Sequence, residues 1–269
     1  MSCIPIPMDL HLHTTNSPDG TNTAAELVAR ANELQIPTIA FTDHCEINEY
    51  FSKGYVTSVP SAFAAAQQAK TLGRPVEVLC GIEIGQPYEN YALTDRILSA
   101  QAYDFVLVSL HKLPNTKEFY YLSADRESAD YLLDRYFSTM LEVVRWGNFD
   151  AVAHLTYPLR YISGTFGLSA DLSLHREKLD AVLAQLAQQH KALEINTCGY
   201  RNSSGTCDPA LPVLRRFREL GGTMVTIGSD AHSVSALGSG IAQGMEVARA
   251  AGFETLTVFR NRRPYPIAF

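Results

Sequence analysis

Apolar runs of strand length recur along the chain, and each stops at a residue able to hold a metal or touch a substrate. CIPIPMDLHLH ends in His11 and His13, TIAFTDH in Asp43 and His44, VEVLCGIE in Glu83, DFVLVSLH in His111 and FDAVAH in His154. ALEIN ends in Asn196, and TMVTIGSDAH carries Asp230 and His232. Between these runs the apolar spacing switches to the helical period, so strands and helices alternate, which is the signature of parallel βα units. The first helix is predicted from a Thr23/Glu26 capping box, with Leu27, Val28, Ala31 and Leu34 on one face and Pro37 as its stop. Further helices are predicted over 60–71, 128–146, 173–190, from Pro209 to the Gly221-Gly222 stop, and over 240–251. The connections 46–58, 114–123, 157–170 and 199–208 show no period. Each follows a polar strand end, so all four are predicted to crown one face of the molecule.

Side chains at the carboxyl ends of successive parallel strands converge on one mouth of a barrel. The expected architecture is therefore α/β, one unit spanning 1–269, with a metal-dependent hydrolytic site. His11 and His13 stand two residues apart and share one side of the pleat, an arrangement that grips a metal. Asp19 lies in an NSPDG turn, where aspartate is usually structural. Of the eight histidines only His175 and His190 fall in predicted helices, and both are expected at the surface. The remaining candidates are His11, His13, Asp19, His44, Glu83, His111, His154, Asp230 and His232. They outnumber the three or four ligands that one zinc takes, so two or three ions bridged by Glu83 are expected. Mixed imidazole and carboxylate ligation suits zinc, iron or manganese, and clustered ions serve displacement at phosphorus.

Composition narrows the function. At 269 residues with 46% hydrophobic and 19% charged positions, the chain has ample material for a large core. A net charge of −6 without a basic stripe argues against gripping a polynucleotide. The basic clusters Arg215, Arg216, Arg218 and Arg260, Arg262, Arg263 read as solvated or structural. Cys3, Cys45, Cys80, Cys198 and Cys207 show no CxxC spacing and no secretory leader precedes them, which points to a reducing cytoplasm. Cys45, next to His44, reads as packing. No apolar run approaches the ~20 residues that cross a bilayer.

The segments DLHLHT, SPDG, FTDH, GIE, SLH, AHL and SDAH, in that order over nearly the whole chain, resemble the polymerase-and-histidinol-phosphatase (PHP) family. The resemblance implies a distorted (β/α)7 barrel with three metals at the carboxyl ends of the strands. It implies one ion on His11, His13, Glu83 and Asp230, a second on Asp19, His44 and His232, and a third on Glu83, His111 and His154. It also gives Asp230 and His232 the catalytic roles. HLTYPLRY and ALEINTCGYR resemble the histidinol-phosphate phosphatase branch, in which Arg160 and Arg201 would meet the substrate phosphate. Thr156 departs from that branch, which often carries an aspartate there, and this leaves substrate choice open.

The implied activity is histidinol-phosphatase: hydrolysis of L-histidinol phosphate to L-histidinol and phosphate, in histidine biosynthesis, by a metal-bound hydroxide. Glu46 is the acid nearest in sequence to a ligand and is a candidate reader of the substrate ammonium, with Tyr120, Tyr157 or Tyr161 stacking on the imidazole. The expected partner is a small phosphate monoester, with neither nucleic acid nor membrane, and nothing in the sequence specifies an oligomeric state. The alternative is a phosphoesterase of the same family acting on nucleotides or short oligonucleotides. A silent scaffold conflicts with the complete ligand set, and a lysine-bridged amidase with the lack of a lysine ending any strand but Lys112.

Overall fold

The computed structural model describes residues 5–72, 75–122, 125–168, 170–202 and 204–269. Cys3 and, within the predicted loops, Ser123, Ser169 and Ser203 lie outside the described residues. The parallel strands are β1 (Asp9–Leu12), β2 (Thr38–Phe41), β3 (His44–Glu46), β4 (Glu77–Gly85), β5 (Phe105–Ser109), β6 (Ala151–Val152), β7 (Ala192–Asn196) and β8 (Val225–Gly228). Their order is β1-β2-β4-β5-β6-β7-β8, with β3 also paired to β4. Thr38–Phe41 pairs with Glu77–Cys80 and His44–Glu46 with Glu83–Gly85, so β2 and β3 form one interrupted strand along the long β4. Counting that pair as one, seven parallel strands surround the axis. The ring closes where the His13 amide donates to Ala231 (2.9 Å) and the Ala231 amide to His11 (3.2 Å). The predicted (β/α)7 barrel is the observed fold. Every residue of β5 is buried, because one face of the strand lines the interior and the other lies under helices.

The helices are α1 (Ala24–Glu33), α2 (Tyr55–Leu72), α3 (Tyr91–Ala100), α4 (Arg126–Trp146), α5 (Pro158–Ile162), α6 (Arg176–Gln188), α7 (Leu211–Glu219) and α8 (Ile241–Ala250). The Thr23/Glu26 box caps α1 as predicted, and Leu27, Val28 and Ala31 face the core. Helix α2 starts five residues before the predicted Pro60, which it contains. There the proline forfeits only the bond to the carbonyl of exposed Val56, a loss that the Ala-rich turns beyond it tolerate. Helix α3 was not predicted, although Asn90 caps it by accepting from the Leu93 amide at 2.9 Å. The predicted loop 157–170 contains the short α5. His175 is a correction to the expected surface position: it is buried against Phe137, with Nε2 3.7 Å from Asp130. His190 is exposed as expected.

The chain ends in an antiparallel hairpin of β9 (Thr255–Arg260) and β10 (Arg263–Ala268), also unpredicted, which underlies the amino ends of the strands. Arg260 forks onto Glu77 (2.6 Å twice), and Arg262 reaches Asp150 (2.5 Å). Arg216 forks onto Asp180 in the same way, so both basic clusters contain structural arginines. No helix among the described residues is long and apolar enough to cross a membrane.

Candidate active site and metal centre

At the opposite mouth the strand ends deliver their polar residues to one point, and Glu83 is its hub. Its carboxylate, fully buried, lies 2.7 Å from His44 Nδ1, 3.0 Å from His154 Nε2, 3.4 Å from His111 Nε2, 3.5 Å from His11 Nε2 and 3.7 Å from His13 Nε2. Asp230 Oδ1 stands 3.5 Å from His13 Nε2 and 3.7 Å from both His11 Nε2 and His232 Nδ1. Asp19 comes in from its turn to within 3.2 Å of His232 and 3.6 Å of His44. All nine residues singled out from the sequence therefore meet. His13 is shared more widely than expected, since its ring lies 4.1 Å from that of His232 and 4.2 Å from that of His44.

Several of these atoms are buried with no hydrogen-bond partner: His11 Nε2, His13 Nε2, His44 Nδ1 and Glu83 Oε2. The 2.7 Å contact of His44 with Glu83 is close but lacks hydrogen-bond geometry. Buried polar atoms are normally bonded, so a knot of orphaned acceptors asks for a cation. The donor set fits one. Ligand atoms of His13, His44 and His232 lie within 4.8 Å of one another, as do those of His11, His13 and Glu83, and of His44, Glu83 and His111.

Electrostatics tell the same story. Burial alone would strip the imidazoles of their protons, but neighbouring carboxylates override it. Glu194, Asp230 and Glu83 hold His11 well above its ordinary pKa, and Glu83 with Asp19 does the same for His44. Against burial, Glu46 and Glu83 push His111 up to about 10. His13 goes the other way, held well down by burial and by the charges of His44 and His232. Burial would also raise Glu83 and Asp230, yet the histidines around them, with Arg160 beside Asp230, hold both well below the carboxylate range. Without a metal the cluster balances its charge with protons on imidazole, the positions that cations would take.

Two carboxylates that orient the cluster were not read as ligand supports. Glu194 Oε1 bonds His11 Nδ1 at 2.6 Å while Oε2 accepts from the His154 amide at 2.8 Å. A Cβ at Gly228 would collide with the His11 Cβ and with this carboxylate, so only glycine lets the strands close here. Glu46, which also lines the cavity, accepts from His111 Nδ1 at 2.9 Å and from the Gln86 side-chain amide. Each leaves the other ring nitrogen of its histidine aimed inward. An acid inside the apolar strand ALEIN, and another two residues after His44, were the available signals.

Asp43 instead accepts from the Thr14 amide and Ser17 hydroxyl, both at 2.7 Å, and pins the turn bearing Asp19. Asn196 donates to Glu194 at 3.1 Å and accepts from the Cys198 amide at 3.0 Å. The Thr156 amide and hydroxyl donate to Asp208, from another loop, at 2.8 and 2.6 Å. His154 and Asp230 adopt positive φ of 28° and 55°, backbone strain gathered at the cluster.

A cavity of about 430 Å³ opens onto the cluster between loops that follow β3, β5 and β6. Arg160, on α5, lines it with its guanidinium 4.8 Å above the Tyr157 ring and 3.5 Å from Asp230 Oδ2. Its Nη2 is buried and unbonded, a free donor beside the candidate metals. Arg201 is placed differently: it is exposed and donates to the Asp230 carbonyl at 3.1 Å, next to the cavity without lining it.

The family described as PHP domain matches residues 9–198. A Thermotoga maritima protein named "Probable histidinol-phosphatase" is 29% identical over 93% of this chain and 95% of its own. The Lactococcus lactis protein named histidinol-phosphatase is 26% identical over 95% of each. A crystal structure of histidinol phosphate phosphatase from Lactococcus lactis, complexed with zinc, L-histidinol and phosphate, superposes with a TM-score of 0.83 at 24% identity over 96% of this chain and 98% of that one, a likeness of fold.

Proposed function

The chain belongs to the PHP domain family, and from that premise we propose that it is a metal-dependent histidinol-phosphatase, cleaving L-histidinol phosphate to L-histidinol and phosphate. The observation that carries the reading is the knot of unbonded imidazole and carboxylate atoms around Glu83, open to a cavity that also presents Arg160. Relatives matching nearly the whole chain carry that name. Three ions are proposed, held by His11, His13, Glu83 and Asp230, by Asp19, His44 and His232, and by Glu83, His111 and His154. Zinc, iron and manganese all suit this ligand set. When bound, such ions supply Lewis acidity that brings the pKa of water toward neutrality and offsets charge on the phosphoryl oxygens.

The protein's own share is positional. Glu194 and Glu46 fix His11 and His111 in one tautomer and one direction each. Arg160, whose Nη2 has no hydrogen-bond partner, is proposed to meet the phosphoryl oxygens, where paired N–H bonds match the geometry of phosphate. Arg201 is proposed as the second such donor, which requires it to turn from the Asp230 carbonyl into the cavity. Asp230, 3.7 Å from His232, is proposed to take the proton of the attacking water, with His232 beside it as the second catalytic group.

Steady-state turnover of L-histidinol phosphate, of 5′-nucleotides and of a single-stranded oligonucleotide tests the assignment. Histidinol phosphate is expected to be preferred, and much faster turnover of either nucleic-acid substrate would replace this reading with the nucleotide one. Elemental analysis of the purified protein identifies the metal and its stoichiometry.

A further inference from the structure

Five carboxylates face the cavity: Asp19, Glu46, Glu49, Glu118 and Asp230. Asp19 and Asp230 contact the cluster histidines, and Glu46 is bound by His111 and Gln86. Among the described residues neither Glu49 nor Glu118 has a side-chain hydrogen bond or an ion pair. Glu118 is the more firmly held. It pairs with Lys112 across an antiparallel bridge, and the next amide, that of Phe119, donates to the carbonyl of His111 at 3.0 Å. Phe119 is buried and packs edge-on against Tyr136 and Tyr157. A half-buried carboxylate is thus fixed one short turn from a candidate metal ligand, at the edge of a cavity whose phosphate-binding arginine comes from a different loop. Glu118 follows β5 and Arg160 follows β6, neighbouring strands, and both line the same cavity, which a phosphoryl group on Arg160 and its ester chain would share with Glu118. Lys53, which also lines the cavity, is exposed and forms no ion pair with Glu118.

We propose that Glu118 is the specificity-determining carboxylate of this site and selects phosphate monoesters that bear an ammonium group two carbons from the ester oxygen. The assignment rests on the phosphatase reading above and adds a residue and a substrate class to it. L-Histidinol phosphate carries that linkage, and so does the simpler 2-aminoethyl phosphate. Its uncharged counterpart of equal size is 2-hydroxyethyl phosphate, so the two esters differ only in the group Glu118 would meet. A charge-assisted bond of this kind discriminates by roughly 10- to 100-fold.

The measurement is the ratio of kcat/KM for 2-aminoethyl phosphate to that for 2-hydroxyethyl phosphate, on metal-loaded full-length protein of verified metal content. The native protein is expected to favour the amine, Glu118→Gln to cut the ratio about tenfold or more, and Glu118→Asp to restore part of it. A native ratio near one overturns the proposal without any variant. It is equally overturned if Glu118→Gln leaves the ratio unchanged or slows both esters in parallel, as a merely structural residue would. If the amine preference depends on Glu118 while L-histidinol phosphate is not turned over, the subsite stands and the histidinol-phosphatase assignment falls. The reverse pattern removes the subsite and leaves that assignment.

Discussion

The two ends of the barrel use the same charged residue types in opposite ways. At the amino ends of the strands opposite charges pair directly: Arg260 with Glu77, Arg262 with Asp150, and Lys70 with Asp104 at 2.8 Å. At the carboxyl ends, imidazole nitrogens, a carboxylate oxygen and an arginine Nη2 are buried without a hydrogen-bond partner. The paired end holds the fold together. The unpaired end costs stability, and such a cost persists where the missing partners come from outside the chain.

The sharpest way to break this contrast is to remove the hub. Glu83→Gln is expected to lower kcat/KM on the order of a thousandfold or more, with metal content falling in the same preparation. Full activity with unchanged metal would mean that Glu83 is a spectator. Next in size, Arg160→Ala should lower kcat/KM roughly 100- to 1000-fold with metal retained, and Arg160→Lys should recover little, because a point charge does not replace a planar fork. Smaller again, Glu194→Gln should weaken metal affinity or activity about 10- to 100-fold through the His11 ring alone, read by competition with a chelator.

Proton linkage gives the next effect. Burial opposes but Glu46 and Glu83 win, so His111 in the metal-free protein titrates near 10, above the ordinary 6.5. Its contribution to metal-free stability is complete below about pH 6.5 and lost as pH rises through about 10. Cations compete with that proton, so metal affinity should rise with pH across this window, by up to about tenfold per unit for each proton displaced. Calorimetry in buffers of different ionisation enthalpy would show the released protons, and a flat affinity from pH 6.5 to 8.5 would contradict the linkage. The smallest effect belongs to the paired end. Arg260→Ala is expected to cost about 1 kcal/mol or less, since that pair is one-third exposed and screened, with turnover unaltered. Denaturant melts beside activity measurements would separate the two ends.

Much of the site was legible because strand ends and turn chemistry are local signals. His11 and His13 share a face by simple alternation, and the capping box of α1 is written within four residues. Asp19 shows the limit, since a turn aspartate reads as structural until His44 and His232 are found beside it. Glu194 lies 183 positions from the histidine it orients, and no local pattern links the two. His175 likewise reads as helical surface until Phe137 of another helix covers it. The closing hairpin carries two prolines in β10, which weaken any strand assignment, and only docking beneath the barrel explains it.

By itself the sequence determined the alternation of strands and helices, the residue types waiting at each strand end, and hence the class of chemistry. The tertiary structure decided which nitrogen meets which carboxylate, which acids serve the cluster, and which are left free at the cavity rim. The reason is geometric. Periodicity sets the face on which a side chain lies, while its partners are chosen by the curvature and closure of the barrel, which no single segment encodes.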